Sequence, residues 1–457
     1  MTLIKSISGI RGTIGGASGN GFTPNDIVSF TAAFGYWLKT KDTATKKIVI
    51  GRDARISGET VSKIVSGTLQ LMGLDVVDLG LSTTPTVEMA VVAEKALGGV
   101  ILTASHNPKE WNALKLLNEK GEFISAKDIT FILESIEAED YQYADVDNLG
   151  SYTINNDYFN YHIETIKDLP LINTEAISKR KFKVAVDAVN STGGIAVPML
   201  LNSLGIDQIE LLHCDPTGKF AHNPEPLTEN LTDLIKKMKE GNFDIGIAVD
   251  PDVDRLVVIC ENGEPFNEEY TLVAVSDYVL SHQKGNTVSN LSSTRALKDI
   301  TEARGGKYYS AAVGEVNVVE KMKEVNAIIG GEGNGGVIYP ELHYGRDALV
   351  GIGFLLSYMA ESGLSLSALK DKFPLYFMYK HKIDLPDNLS METILEKVLN
   401  KYSNYTINTI DGIKIEMDNS WVHLRKSNTE AILRVYSEAN TFDQAKAIAL
   451  EISDLVV

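Results

Sequence analysis

Three times along this chain the same order of apolar elements recurs and ends in a polar loop, and that recurrence limits the possible folds more than any other feature. Hydrophobic periodicity predicts a buried strand over 46–50, an amphipathic helix over 58–72, a strand over 75–79, a helix over about 85–96 and a strand over 99–102. The order returns as strand 182–187, helix 194–204, strand 208–212, helix 227–239 and strand 243–249. It returns again over 287–291, 296–303, 307–309, 314–323 and 327–329. A βαβαβ order favours a mainly parallel sheet. The repetition is one of element order, with no residue-level repeat beneath it. After Phe373-Pro374 the pattern changes to strands over 421–424 and 432–436 and a helix over about 442–455, a smaller α+β domain. A chain of 457 residues accommodates about three or four domains. Linkers near 139–151, 263–267 and 370–375 divide it into 1–145, 146–262, 263–370 and 371–457. The expected class is α/β, with three related mixed α/β domains and a smaller C-terminal α+β domain.

The third strand of each unit runs into a loop rich in Gly or Asp: Thr103-Ala-Ser-His-Asn-Pro108, Asp250-Pro-Asp-Val-Asp-Arg255 and Gly331-Glu-Gly-Asn-Gly-Gly336. Ligands of open α/β sheets gather beyond the carboxyl ends of the strands, so three such loops could meet around one cleft. Asp250, Asp252 and Asp254 alternate along a segment between two apolar strands. Alternation on an extended chain would aim the three carboxylates to one side, where their charge needs a hard cation. A calcium EF-hand would place Glu261 at its twelfth position, but Arg255 occupies the sixth, where that loop needs Gly, and the flanks are strand-like. Magnesium fits better, since it takes few protein carboxylates together with phosphate oxygens.

Ser105 follows an apolar strand directly. No Gly-x-Ser-x-Gly elbow surrounds it, and His106 is adjacent in sequence and cannot normally bend back to the hydroxyl as a base. A phosphoryl acceptor needs only positioning and charge cancellation. Taken alone, such a serine is more often a plain loop residue. Gly331, Gly333 and Gly336 formally satisfy a dinucleotide fingerprint, but the segment after them is strand-like where that motif must open a helix. With Glu332 and Asn334 inside it, the loop is better suited to sugar hydroxyls, or is only a turn. Arg425-Lys-Ser-Asn-Thr-Glu430 is either a polar hairpin turn or a phosphate cradle, in which Arg425 grips oxygens while Ser427, Asn428 and Thr429 donate the remainder. Arg11 lies between glycines that let the backbone approach a ligand, although in isolation the segment reads better as a flexible leader with one stray Arg.

A formal charge of −18 argues against general binding to nucleic acid or anionic membranes, so an anionic substrate requires a local Arg and Lys cluster. Two cysteines without paired spacing, no apolar leader and no apolar run of about eighteen residues fit a cytoplasmic protein.

In combination and in this order, Thr103 to Pro108, Asp250 to Arg255, Arg425 to Glu430 and Ser8 to Gly12 resemble the α-D-phosphohexomutase family. That family includes phosphoglucomutase, phosphomannomutase and phosphoglucosamine mutase. The resemblance implies four domains around a central cleft, and a reaction that interconverts hexose 6-phosphate and hexose 1-phosphate through phosphoserine and a sugar bisphosphate. It places the phosphoserine at Ser105, and Mg²⁺ on Asp250, Asp252 and Asp254 together with the phosphorylated Ser105. Lys115 matches the family's general acid/base, Arg11 and His106 match residues beside the transferring group, and Arg255 sits next to the metal. Glu332 and Asn334 fall on the sugar loop, and Arg425, Ser427, Asn428 and Thr429 on the distal phosphate site. Asn334 replaces the family's usual serine, Gly336 ends the motif where a polar residue is common, and Ala431 replaces a proline. His343 stands downstream as a candidate to supply the missing polar group. The glycine-rich form of the loop leans toward phosphoglucosamine mutase; phosphomannomutase or phosphoglucomutase activity, and a non-catalytic sugar-phosphate binding protein, are the alternatives.

Overall fold

Short runs such as Ile48-Val-Ile50 and Val100-Ile-Leu102 are β-branched and apolar on both faces, which suits strands buried between helices. The computed structural model describes residues 2–6, 9–41, 44–384, 391–426 and 432–456, and it gathers such runs into four sheets. In the first, Gly98–Leu102 and Asp75–Leu81 lie parallel on either side of Lys47–Arg52. Trp111–Leu117 then returns antiparallel to Gly98–Leu102, Gly9–Thr13 adds beyond it, and Tyr152–Ile154 flanks Asp75–Leu81. In the second, Lys183–Asp187 lies between Gln208–Leu212 and Ile245–Val249, all parallel, and Leu256–Cys260 returns antiparallel. In the third, Asn286–Asn290 lies between Tyr308–Ala311 and Ala327–Glu332, and Gly336–Ile338 returns antiparallel.

The parallel cores match the periodicity, and the reversed last strand is the addition. Its cause is loop length: a parallel return needs a crossover of a dozen or more residues, which none of these three loops contains. Each polar loop is therefore the turn of a hairpin at the carboxyl end of a parallel strand.

Of the helices that escaped the periodicity reading, Glu268–His282 and Ala348–Ser362 matter most for the packing. Every residue from Ala348 to Met359 is buried, so no amphipathic stripe marks the helix. These helices join the second and third sheets, and one apolar cluster runs from Ile163, Val197 and Val258 to Leu272, Ile329 and Phe354. The first unit has a separate core that includes Phe34, Ile48 and Leu69. Boundaries also shifted. The helix expected over 85–96 is Thr84–Ala93, because Lys95 turns the chain at φ +50. The one expected over 227–239 divides into a 3₁₀ turn, Thr228–Asn230, and a helix, Thr232–Glu240, at the buried and non-helical Leu231.

Past Phe373, an antiparallel sheet runs in the order Phe377–Asp384, Ile432–Ala439, Ser420–Lys426, Ile413–Met417 and Thr406–Asn408, with Met391–Tyr402 and Phe442–Val456 packed on its apolar face. It meets the third unit through polar contacts: Arg295 N–H to Glu438 Oε1 at 2.9 Å, Val313 N–H to Asp411 Oδ2 at 2.9 Å, and Ser292 Oγ with His423 Nδ1 at 2.9 Å. Among the described residues no helix is long and apolar enough to cross a membrane.

The first three units meet at a buried polar junction. Asp347 caps the helix Ala348–Ser362 through Oδ1, and its Oδ2 lies 2.8 Å from His162 Nε2 and 3.3 Å from His343 Nε2. The other face of His343 lies 3.2 Å from Glu88 Oε2, and His162 Nδ1 lies 2.9 Å from the Thr86 hydroxyl. Burial alone would lower His343, but Asp347 and Glu88 raise it to about 10; burial raises Glu88 to about 8. A histidine raised in the folded state stabilises fully below its unfolded value, near 6.5, and that contribution is lost as pH rises through about 10. Glu88 acts in the same direction, since keeping it buried costs more as it ionises. The melting temperatures of wild type and His343→Gln should therefore differ most below pH 6.5 and converge toward pH 10. Scanning fluorimetry across that range checks this, and a constant gap would disprove the coupling.

Candidate active site

Ser105 is held by a guanidinium the sequence reading passed over. Arg55, 1% exposed, donates from Nη2 to the carbonyls of Ser105 (2.5 Å) and Asn107 (2.6 Å), and from Nη1 to those of Pro108 (2.7 Å) and Trp111 (2.9 Å). Its Nε donates to Asp53 Oδ2 at 3.0 Å, and the same oxygen accepts from the Thr103 hydroxyl at 2.7 Å. Fastened in this way, Ser105 keeps a left-handed backbone, φ +47, which costs a non-glycine residue about 1 kcal/mol. The available signal was the charged run Arg52-Asp-Ala-Arg55 directly after a buried strand.

The Ser105 hydroxyl donates to Asp250 Oδ2 at 2.7 Å. Asp250, Asp252 and Asp254 are all fully buried, and one oxygen of each lies within 4.8 Å of the others. They converge by a different geometry from the one expected. The segment is a turn, with Val253 at φ +63, and it wraps around Asp250, whose Oδ1 accepts the Asp254 and Arg255 N–H groups at 3.2 Å each. Alternation along an extended chain is thus replaced by a tight bend that brings first and last carboxylates together.

Cations from the neighbouring units offset this charge. Lys115 Nζ lies 2.7 Å from Asp252 Oδ2 and 3.5 Å from Asp254 Oδ2, and Arg346 Nη2 donates to Asp254 Oδ2 at 2.7 Å. Burial and the other two aspartates push Asp250 well up, whereas for Asp252 the effect of burial is overcome by Lys115 and by hydrogen bonds that hold it low. Burial opposes charge on Lys115, yet Asp252 and Asp254 keep it raised and protonated. Asp252 Oδ1 and Asp254 Oδ1 are buried and accept no hydrogen bond among the described residues. Clustered hard oxygens with unsatisfied lone pairs suit a divalent cation.

Arg346 is the second residue the sequence did not disclose. Besides Asp254 it binds Glu332 Oε2 (2.8 Å) and Glu315 Oε2 (3.0 Å), joining the aspartate loop to the Gly331 to Gly336 loop. Glu332 also accepts the Asn290 side-chain amide at 2.8 Å; burial would raise it, but Arg346 and Asn290 bring it down. Asn334 Oδ1 accepts the Gly336 N–H at 3.3 Å. His343 faces Glu88 and Asp347 at the interdomain junction, so it does not complete the sugar loop.

A cavity of about 320 Å³ gathers these parts. Its lining includes Arg11, Ser105, His106, Lys115, Arg255, Glu332, Asn334 and Arg425, drawn from all four units. Arg255 first, then burial and Arg11, hold His106 well below its usual value, so the imidazole is neutral; burial and Arg255 lower Arg11. Lys380, Arg434 and Tyr436 also line the cavity from two paired strands of the C-terminal sheet. They were not foreseen, because charged residues within a strand pattern look like its solvent face. Ser427, Asn428, Thr429 and Ala431, like Ser8, lie outside the described residues. The cationic lining overrides the net charge of −18 locally, as an anionic ligand would require.

Family models match the chain in order. Phosphoglucomutase/phosphomannomutase alpha/beta/alpha domains I, II and III match residues 3–143, 159–263 and 267–376, and the C-terminal domain matches 382–455. The chain is similar to a phosphoglucomutase/phosphomannomutase of Thermococcus kodakarensis, 35% identical over 441 residues that cover 95% of each chain. It is also similar to a phosphoglucosamine/phosphogalactosamine mutase of Sulfurisphaera tokodaii, 29% identical over 456 residues and 98% of each. Among solved structures, a phosphoglucomutase/phosphomannomutase family protein of Burkholderia thailandensis superposes with a TM-score of 0.85 at 26% identity, covering 98% of this chain and 95% of that one.

Replacing Arg55 by Met leaves Asp53 buried without its cation and four carbonyls without their donor. Denaturant unfolding should report a loss of about 3 to 5 kcal/mol, with faster amide exchange at residues 104–108. A variant as stable as wild type would exclude Arg55 as the clamp of this loop.

Proposed function

The chain belongs to the α-D-phosphohexomutase family, and from that premise we propose that it interconverts a hexose 6-phosphate and a hexose 1-phosphate through a phosphoserine at Ser105. Members of this family are isomerases that act by intramolecular phosphoryl transfer. The observation that carries the reading is the Ser105 hydroxyl, which lies 2.7 Å from a buried aspartate cluster on a residue that lines a cationic cavity.

Phosphoserine carries nearly two negative charges and the substrate phosphate about two more, so transfer requires strong charge cancellation. Asp250, Asp252 and Asp254, with the phosphorylated Ser105, would hold Mg²⁺, which when bound neutralises charge on the transferring phosphoryl group. Arg11 and Arg255, both on the cavity lining, would orient that group. As the Ser105 Oγ–P bond breaks, an O–P bond forms to the free sugar hydroxyl, and one proton passes from that hydroxyl to Ser105 Oγ. Lys115, protonated at rest, gives a proton to Oγ and recovers one from the sugar. The product of this half-reaction is a sugar bisphosphate, which also serves as activator of unphosphorylated enzyme. Once the sugar has turned over, the second phosphate returns to the serine. Arg425, with Ser427, Asn428 and Thr429, grips whichever phosphate is not reacting, and Glu332 and Asn334 hold the sugar hydroxyls. A glucosamine phosphate is the preferred substrate: the glycine-rich sugar loop supports this, as does the hexosamine-phosphate mutase named among the relatives.

Ser105→Ala should lower kcat more than about a thousandfold while leaving the melting temperature within a few degrees, and intact-mass analysis of active wild type should show one added phosphate. Asp252→Ala should abolish magnesium-dependent turnover. Undiminished activity of Ser105→Ala would refute the phosphoserine route.

A further inference from the structure

Among the carboxyl groups on the cavity lining that the mechanism above does not use, one makes no ion pair with an Arg among the described residues. Glu269, in the first turn of the helix Glu268–His282, is 6% exposed and lines the cavity. Its Oε2 accepts the Thr294 N–H at 2.9 Å, and its Oε1 has no hydrogen bond among the described residues. The group reaches the sugar loop because residue 333 is glycine, where a Cβ would stand 1.9 Å from Oε2. The other acids nearby are engaged: Glu332 and Glu315 with Arg346, and Glu225 within 3.7 Å of Arg255. Lys380, also on the lining, pairs with Glu268 at 3.3 Å, and its charge acts on Glu269 as well.

The remaining lining is rich in Arg and Lys, which suits two phosphates and repels an ammonium. A substrate that carries both charges needs an anionic spot beside the sugar, away from the phosphate grips. Resting on the mutase reading, we propose that Glu269 determines specificity by pairing with the amino group of a hexosamine phosphate. A hydroxyl in the same place gains a hydrogen bond but no ion pair, so the residue separates amino sugars from neutral ones. Burial raises the carboxyl to about 8, and an ammonium ligand reverses that shift.

Coupled assays of wild type and Glu269→Gln, with glucosamine 6-phosphate and glucose 6-phosphate, test this. Glutamine keeps an acceptor for the Thr294 N–H and removes the charge. Wild type should favour the amino sugar, and the ratio of the two kcat/KM values should fall at least about tenfold in the variant, equivalent to roughly 1.4 kcal/mol. An unchanged ratio, or equal losses on both sugars, would overturn the inference. Titration calorimetry on wild type covers the case in which the variant does not fold: glucosamine 6-phosphate binding no tighter than glucose 6-phosphate overturns it as well. Glucose phosphate turnover without that preference sinks only this inference, whereas no turnover of any hexose phosphate removes the mutase reading and this one together.

Discussion

Three aspartates without exposed surface meet at the end of one strand, and the site is organised around the need to offset their charge. Buried carboxylates stay ionised only with cations close by. Lys115 comes from the first sheet, and Arg346 from the loop ahead of the helix Ala348–Ser362. Neither is near the aspartates in sequence, so the charges balance only when all three units are packed. Two carboxylate oxygens still accept no hydrogen bond among the described residues, an arrangement that suits a divalent cation.

The same requirement sets the first three units apart from the C-terminal domain. The second and third units share one apolar core, and the first is joined to them by the His162, His343, Asp347 and Glu88 junction. Those contacts fix Ser105 relative to Asp250. The C-terminal domain instead docks on the third unit through hydrogen bonds such as Arg295 to Glu438. Water can replace polar contacts of this kind at smaller cost than it can replace a shared apolar core.

Much of the site was legible because its residues cluster at the carboxyl ends of predicted strands. Arg11, Ser105, His106, Lys115, Arg255, Glu332, Asn334 and Arg425 all line one cavity, with the three aspartates buried beside it. Arg55, Arg346 and Glu269 were passed over for a common reason: most of the partners of each lie far away in sequence. The helices Glu268–His282 and Ala348–Ser362 were missed on different grounds, since burial on all sides erases the periodicity by which helices are recognised. The bend at Val253 was also out of reach, because a left-handed valine is not a local preference and persists only where its surroundings impose it.

By itself the sequence determined the order of elements, the three polar loops that follow buried strands, and the residue types available for phosphoryl chemistry. Those properties are local, set by periodicity and by the chemistry of neighbouring side chains. Tertiary structure alone decided which charges meet: that Lys115 and Arg346 face the aspartates, that Arg55 grips the serine loop, and that Glu269 lies beneath Gly333. Electrostatic energy depends on distances across the fold, and those distances do not exist until the four units have packed.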